Sequence, residues 1–172
     1  MGVGPRKAAA DRMSVTVQPA RLLDLPSIVE IERAVFSDPW STQSFREALG
    51  HPAVYFASAC SDGGDVLGYV VAWFVADEGE IANLAVARPA WGGGVGSALL
   101  DGALAEAASR GVGAVYLEVR ASNERARRLY ESRHFEEVGR RRGYYRRPIE
   151  DAIVLRHLVG AGGKGHEGRG KG

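Results

Sequence analysis

Two side chains of this sequence, Glu118 and Tyr130, are of types that supply a base and an acid to one reaction. Glu118 lies in the apolar run 114–120, which predicts an interior strand. A carboxylate on such a strand is costly unless it is paired or solvated, and partial burial makes it a competent general base. Taken alone, the residue is equally well interpreted as a base or as a structural carboxylate that is paired with Arg120 or with water.

Tyr130 lies in the next predicted helix, on the same apolar side as Ala126 and Leu129. A lone tyrosine in such a position is more often a core residue with a hydrogen-bonded hydroxyl than a catalyst. The pair is more informative than either member, because a strand followed directly by a helix can bring Glu118 and Tyr130 to two sides of one cleft. A base and an acid at one cleft suit a group transfer that moves protons.

Glycines form the second feature with chemical potential, in the turn at residues 91–97 that joins a predicted strand to a predicted helix. Glycine lets successive backbone N–H groups converge, and the start of a helix adds unpaired N–H groups and a positive dipole end. Such a turn can hold a phosphate group. It lacks both the Gly-Lys-Ser/Thr ending of a Walker loop and the third glycine of a GxGxxG motif. By itself it is interpreted equally well as a phosphate site or as a turn without a ligand.

Strands and helices alternate in a mixed order around these residues, which predicts an α/β domain at residues 14–159. A first helix begins after Asp24 as its N-cap, with Pro26 in its first turn, and Ser41 caps a second one that Gly50 ends. Two further helices are predicted at 95–110 and 123–132. The predicted strands are 15–17, 54–60, 66–75, 80–86, 114–120, 135–145 and 152–158.

The composition limits the class of protein. The chain has 172 residues and a formal net charge of +1, so no overall field attracts nucleic acid or an anionic membrane. Cys60 is the single cysteine, and the histidines do not have metal-ligand spacing. We therefore predict a cytoplasmic protein without a metal, a nucleic-acid contact or a membrane segment. Residues 1–13 and 160–172 are aperiodic and poor in apolar residues, which predicts a flexible extension and a disordered tail.

Several segments of the sequence, in order and with the right separation, resemble the GNAT family of N-acetyltransferases. Gly94-Val95-Gly96 matches the end of the family's phosphate loop, whereas Trp91 stands where the family usually has Gln or Arg. Within the family, the chain is similar to the bacterial ribosomal-protein-alanine N-acetyltransferases (the RimI type) over roughly residues 15–158. The segments that carry this likeness are 38–41, 117–123, 129–135, 144–145 and 150–153.

The resemblance implies a GNAT fold, with a mixed and mostly antiparallel central sheet flanked by helices, and acetyl-CoA as co-substrate. It implies Glu118 as the base that deprotonates the acceptor amine and Tyr130 as the acid that protonates the leaving thiolate. It also implies cofactor-binding residues in the strand before the loop, in the loop itself and at the start of the following helix. These are Leu84, Ala85, Val86, Gly92, Gly93, Gly94, Val95, Gly96, Ser97 and Asn123.

The acceptor implied by the resemblance is the α-amino group of a protein N-terminus, in particular the N-terminal alanine of a small-subunit ribosomal protein. Trp40, Tyr144 and Tyr145 are expected either to line the peptide groove or to be partly buried in the core. The arginines at 140–142, 146 and 147 are expected at a solvated sheet edge, with docking of a ribosomal protein or of cofactor phosphates as the alternative. Two other functions stay open, a GNAT enzyme that acetylates lysine or a small amine and a non-catalytic acyl-CoA-binding module.

Overall fold

A computed structural model describes residues 14–160 and confirms the predicted α/β architecture. Seven strands form one sheet in the order β1-β2-β3-β4-β5-β7-β6, in which only β4 and β5 are parallel. The predicted extension at 1–13 and the predicted tail beyond Gly160 lie outside the described residues. Within residues 14–160, no helix combines the length and the apolar character that crossing a bilayer requires.

The elements follow the predicted order, with boundaries that differ by a few residues. The strands are β1 (Val15–Pro19), β2 (Val54–Ser61), β3 (Val66–Val75), β4 (Glu78–Val86), β5 (Ala114–Arg120), β6 (Glu136–Arg146) and β7 (Ile149–Leu158). The helices are α1 (Leu25–Val35), α2 (Thr42–Ala48), α3 (Val95–Ser109) and α4 (Glu124–Glu131).

The predicted helix caps are confirmed in one case and corrected in the other. The Ser41 hydroxyl accepts a hydrogen bond from the Ser44 N–H and so caps α2 as predicted. Asp24 precedes α1, but its side chain does not cap that helix. Its buried carboxylate accepts instead from Arg21 and from the hydroxyl of Ser58 on β2. These partners hold the pKa of Asp24 below its ordinary value, although burial alone would raise it.

Two apolar cores cover the two faces of the sheet. Successive residues of β3 alternate between them: Val70 and Ala72 pack on the α3 side, whereas Tyr69 and Val71 pack on the side of α1 and α2. The α3 core also contains Tyr130 and Phe135 and inward-facing residues of β5 (Val115, Leu117 and Val119). Because side chains alternate along β5, Glu118 projects from the opposite face, which α1 and α2 cover.

The sheet opens between its two parallel strands. β4 and β5 pair only from Glu78–Ile81 to Ala114–Leu117, although both strands continue beyond that point. The pairing of β4 with β3 shifts by one residue, since Val71 lies opposite Asn83 while Ala72 lies opposite Ile81. Ala82 is therefore the extra residue of a β-bulge, which bends β4 at the point where it leaves β5. The result is a gap bounded by residues 82–86 on one side and 118–120 on the other.

Candidate active site

The glycine turn lies directly after β4 and leads into α3. Gly92 and Gly94 have φ angles of +81° and +84°, which glycine adopts without strain. A Cβ atom at either position would meet no other atom within 4 Å, so the loop presents its backbone to open space. Gly96 has a different reason to be glycine, because a Cβ there would lie 3.2 Å from Leu129 of α4. The first turn of α3 therefore packs closely against α4.

These features fit a phosphate group. The N–H groups of the first turn of α3 have no partner within the helix, and they add to the positive end of a 15-residue helix dipole. The open face at Gly92 and Gly94 leaves room for an anion to approach these N–H groups. The strand residues implied for the cofactor border the gap: Ala85 is buried on the α1 side, and Leu84 and Val86 pack toward the α3 core. An acyl-pantetheine arm with a pyrophosphate thus has an extended opening that leads to an anion site.

A cavity of about 700 Å³ occupies the α1–α2 face of the sheet beside the gap. A smaller cavity of about 460 Å³ adjoins it, and both are lined in part by Glu80 and Glu118. Glu118 is the first residue of β5 beyond the last pair with β4. The residues that line the larger cavity are Glu32, Phe36, Asp38, Trp40, Glu80, Ile81, Ala82, Asn83, Glu118, Arg120 and 144–147.

Glu118 is paired, but not with the residue that the sequence suggested. Its Oε1 accepts a hydrogen bond of 2.6 Å from Arg141 of β6, and this contact raises the pKa of Arg141. Arg120 pairs instead with Glu150 of β7, at 3.3 Å. Arg141 nevertheless lies on an edge strand and remains exposed, as expected for a solvated sheet edge.

Tyr130 lies in the α3 core, in edge-to-face contact with Phe135 at 5.5 Å between ring centroids. Burial, followed by the neighbouring Tyr145, raises the pKa of its hydroxyl well above the ordinary value. The side chain therefore keeps its proton at neutral pH, as an acid must before it acts. Glu118 and Tyr130 start from opposite faces of the sheet, and their action on one reaction stays a prediction.

The three aromatic residues predicted to bind the substrate all line the larger cavity. Trp40 is half-buried against Phe45 of α2, at 5.3 Å between ring centroids. Tyr144 and Tyr145 lie side by side on β6, with Tyr144 45% exposed. Burial raises the pKa of Tyr145 to about 12, and Arg120 lies 4.3 Å from its ring centre. These residues are thus partly buried and form a wall of the cavity, and their role in binding a peptide stays a prediction.

Asn123 caps α4, because its Oδ1 accepts a hydrogen bond from the Ala126 N–H at 3.1 Å. The carboxamide nitrogen is not used in this cap, so the residue retains a donor for a ligand. Ser97 is half-buried in the first turn of α3.

Sequence reasoning missed a buried carboxylate, Glu32 of α1, which is 1% exposed and lines the larger cavity. It accepts hydrogen bonds from the Asn83 side chain at 2.7 Å, from the Trp40 N–H at 3.1 Å and from the Tyr69 hydroxyl. Burial raises the pKa of Glu32 to about 7, although the bonds from Trp40 and Asn83 oppose this rise. The available signal was a charged residue four positions after Ile28, on the apolar side of α1.

Comparisons with known proteins identify the family to which the chain belongs. Residues 25–135 match the Acetyltransferase (GNAT) family. The [Ribosomal protein bS18]-alanine N-acetyltransferase of Escherichia coli strain K12 is 35% identical over 142 residues, which are 81% of this chain and 95% of that protein. The N-alpha-acetyltransferase RimI of Mycobacterium tuberculosis is 36% identical over 157 residues, covering 88% and 97% of the two chains.

A solved structure extends these matches to three dimensions. The crystal structure of the ribosomal-protein-S18-alanine N-acetyltransferase from Escherichia coli superposes with a TM-score of 0.78 at 32% sequence identity. The superposition covers 88% of this chain and 98% of that one. The chain therefore has the same overall fold as that structure.

Proposed function

Because the chain belongs to the GNAT acetyltransferase family and is an acetyl-CoA-dependent N-acetyltransferase, we propose that its acceptor is the α-amino group of a protein N-terminus, namely the N-terminal alanine of ribosomal protein bS18. The observation that carries this proposal is the cavity of about 700 Å³ that meets the gap at Glu118. Its walls of Trp40, Tyr144 and Tyr145 suit the first residues of an extended peptide. A ribosomal acceptor also implies a cytoplasmic enzyme.

In this proposal the loop and the gap hold acetyl-CoA. The amides of residues 92–97 contact the pyrophosphate, and the backbone of Leu84, Ala85 and Val86 contacts the pantetheine arm. Asn123 donates from its free carboxamide nitrogen. The N–H of Leu84 stabilises the negative charge that develops on the carbonyl oxygen of the acetyl group. Because both substrates share one cleft, the attack is effectively intramolecular, which accounts for a large part of the rate enhancement.

Glu118 acts as the base of the reaction and Tyr130 as its acid. Glu118 accepts a proton from the acceptor ammonium, directly or through one water, and the nitrogen attacks the thioester carbon. As the C–N bond forms, the nitrogen loses its surplus proton to solvent water. As the C–S bond breaks, the departing thiolate takes the hydroxyl proton of Tyr130, which solvent later replaces. An α-amino group suits this site because its pKa is about 8, against about 10.4 for lysine, so a larger fraction is neutral before the base acts.

The test is release of free CoA in the presence of matched acceptors. The first is a peptide with the N-terminal residues of bS18 from the same organism and a free alanine. The second is the same peptide with a blocked N-terminus and an internal lysine, and the third is a small polyamine. We expect turnover with the free alanine only. Comparable turnover with the blocked peptide or the polyamine would overturn the acceptor assignment, and binding of acetyl-CoA without turnover on any acceptor would favour a non-catalytic module.

A further inference from the structure

Trp91 stands where the phosphate loop of the family usually begins with Gln or Arg, and the contacts of its indole indicate a function for this residue. The indole is 43% exposed, yet its position is fixed, because Nε1–H donates a hydrogen bond of 2.9 Å to the Val86 carbonyl at the end of β4. The ring therefore lies at the entrance of the glycine turn, between the last residue of the strand and the amides that precede α3.

Two guanidinium groups lie against this ring. The Arg125 guanidinium carbon is 4.3 Å from the ring centroid, and that of Arg88 is 5.8 Å away. Both distances are within the range of a cation–π contact. Among residues 14–160, no carboxylate lies within salt-bridge distance of either guanidinium, although this part of the chain contains seven other such ion pairs.

The packing of α4 explains why Arg125 reaches the loop. Arg125 lies four residues before Leu129, so both project from one side of the helix. Leu129 packs close to Gly96, in the first turn of α3. The other arginines of α4 have partners within the protein: Arg127 donates to the Ala121 carbonyl, and Arg128 lies 4.0 Å from Glu124.

We propose that Trp91 and Arg125 form a clamp for the phosphate groups of acetyl-CoA, in which the indole fixes the guanidinium beside the amides of the loop. A guanidinium presents paired N–H donors that match phosphate oxygens, and prior stacking on Trp91 lowers the entropy lost when they bind. The clamp supplies from α4 the cation that the loop itself lacks at its first position. The inference rests on acetyl-CoA as donor and holds for any acceptor amine.

The experiment is calorimetric titration of CoA and of dephospho-CoA, which lacks the 3′-phosphate, into five proteins at low salt. Four are the parent, Arg125→Gln, Trp91→Ala and the double variant. The fifth is Arg128→Gln, a control that removes one positive charge from the same helix. All the changed side chains are exposed, so folding should survive, and circular dichroism checks it.

We expect Arg125→Gln to weaken CoA binding about tenfold, the scale of one charge-assisted hydrogen-bonded contact, and Arg128→Gln to weaken it less than twofold. A loss of affinity for CoA but not for dephospho-CoA identifies the 3′-phosphate as the group that Arg125 binds. An equal loss of affinity for both ligands identifies the pyrophosphate. Trp91→Ala should weaken binding in the parent but add little to Arg125→Gln. The clamp is overturned if Arg125→Gln and Arg128→Gln bind CoA with equal affinity, or if the effects of the two clamp residues are independent. A parent protein that binds neither ligand would instead refute acetyl-CoA as donor.

Discussion

At the scale of single residues, the contact between Glu118 and Arg141 bears most directly on catalysis. The guanidinium approaches the carboxylate to 2.6 Å from the smaller cavity, which adjoins the cavity in which we place the peptide. An acceptor ammonium that reaches Glu118 carries the same charge as Arg141 and competes for the same oxygen atoms. We therefore expect peptide binding to displace Arg141 from Glu118 before proton transfer.

Glu118→Gln keeps the size of the side chain and removes its basicity. We expect turnover on a free N-terminal alanine peptide to fall by about two to four orders of magnitude, the usual contribution of a general base. Higher pH should restore part of the rate, because more of the amine is then neutral without assistance. Steady-state turnover between pH 6 and 9 measures both effects.

The control for this prediction is Tyr130→Phe, which should slow turnover while acetyl-CoA affinity persists. The double variant should be less impaired than the product of the two single effects, because both residues act on one transition state. Parent rates for both single variants would exclude these side chains from the chemistry.

Residue types and spacing identified Glu118 and Tyr130 but not the neighbours that surround them. The Arg141 contact depends on the register of β6 with β7, which shifts between Arg141 and Tyr145. Glu32 was missed for a similar reason. Asn83 faces α1 only because of the bulge at Ala82, and a one-residue shift in a strand exchanges the faces of every residue after it.

At the scale of elements, glycines of the loop before α3 are required for two different reasons. Gly94 is required by its backbone conformation and borders open space, whereas Gly96 is required by the packing of α3 against α4. The sequence predicted the turn and the helix that follows, since Gly and a helical apolar pattern are local signals. It could not separate these two reasons, because the contact with Leu129 comes from an element more than thirty residues away in the chain.

Gly94→Glu tests the loop as an anion site. The left-handed conformation should cost this variant about 1–2 kcal/mol of stability, and the new carboxylate should repel the phosphates. We expect acetyl-CoA affinity to fall at least tenfold in calorimetry. Gly111→Glu is the matched control, because Gly111 also has a positive φ of +73° and open surroundings but follows the other end of α3. Equal affinities for the two variants would contradict the assignment of the loop.

At the scale of the whole molecule, Glu32 joins four parts of the fold through one carboxylate. Its carboxylate connects α1 to Tyr69 of β3, to Asn83 at the bulge of β4 and to the segment before α2 at Trp40. A buried charge in this position opposes folding, because burial raises its pKa from 4.5 to about 7. The folded protein thus retains a proton that the unfolded chain releases between these two pH values.

Stability should therefore depend on pH through this group. The free energy of unfolding contributed by protonated Glu32 is present below about pH 4.5 and is lost as the pH rises through about 7. The loss amounts to about 3 kcal/mol. Glu32→Gln, which is neutral at every pH, should remove this part of the slope in urea denaturation between pH 5 and pH 8. An unchanged slope in the variant would show that Glu32 is not the titrating group.

The gap between β4 and β5 also gives the molecule two sheet edges in its interior. Most proteins must shield such edges, since unpaired strands recruit other chains. Here the edges lie between the two packed cores of the sheet. In the function proposed above, the pantetheine arm pairs with the backbone of β4 beside this gap. The donor would then supply hydrogen-bond partners that this strand edge lacks in the empty enzyme, so that loading the enzyme extends the hydrogen bonding of the sheet.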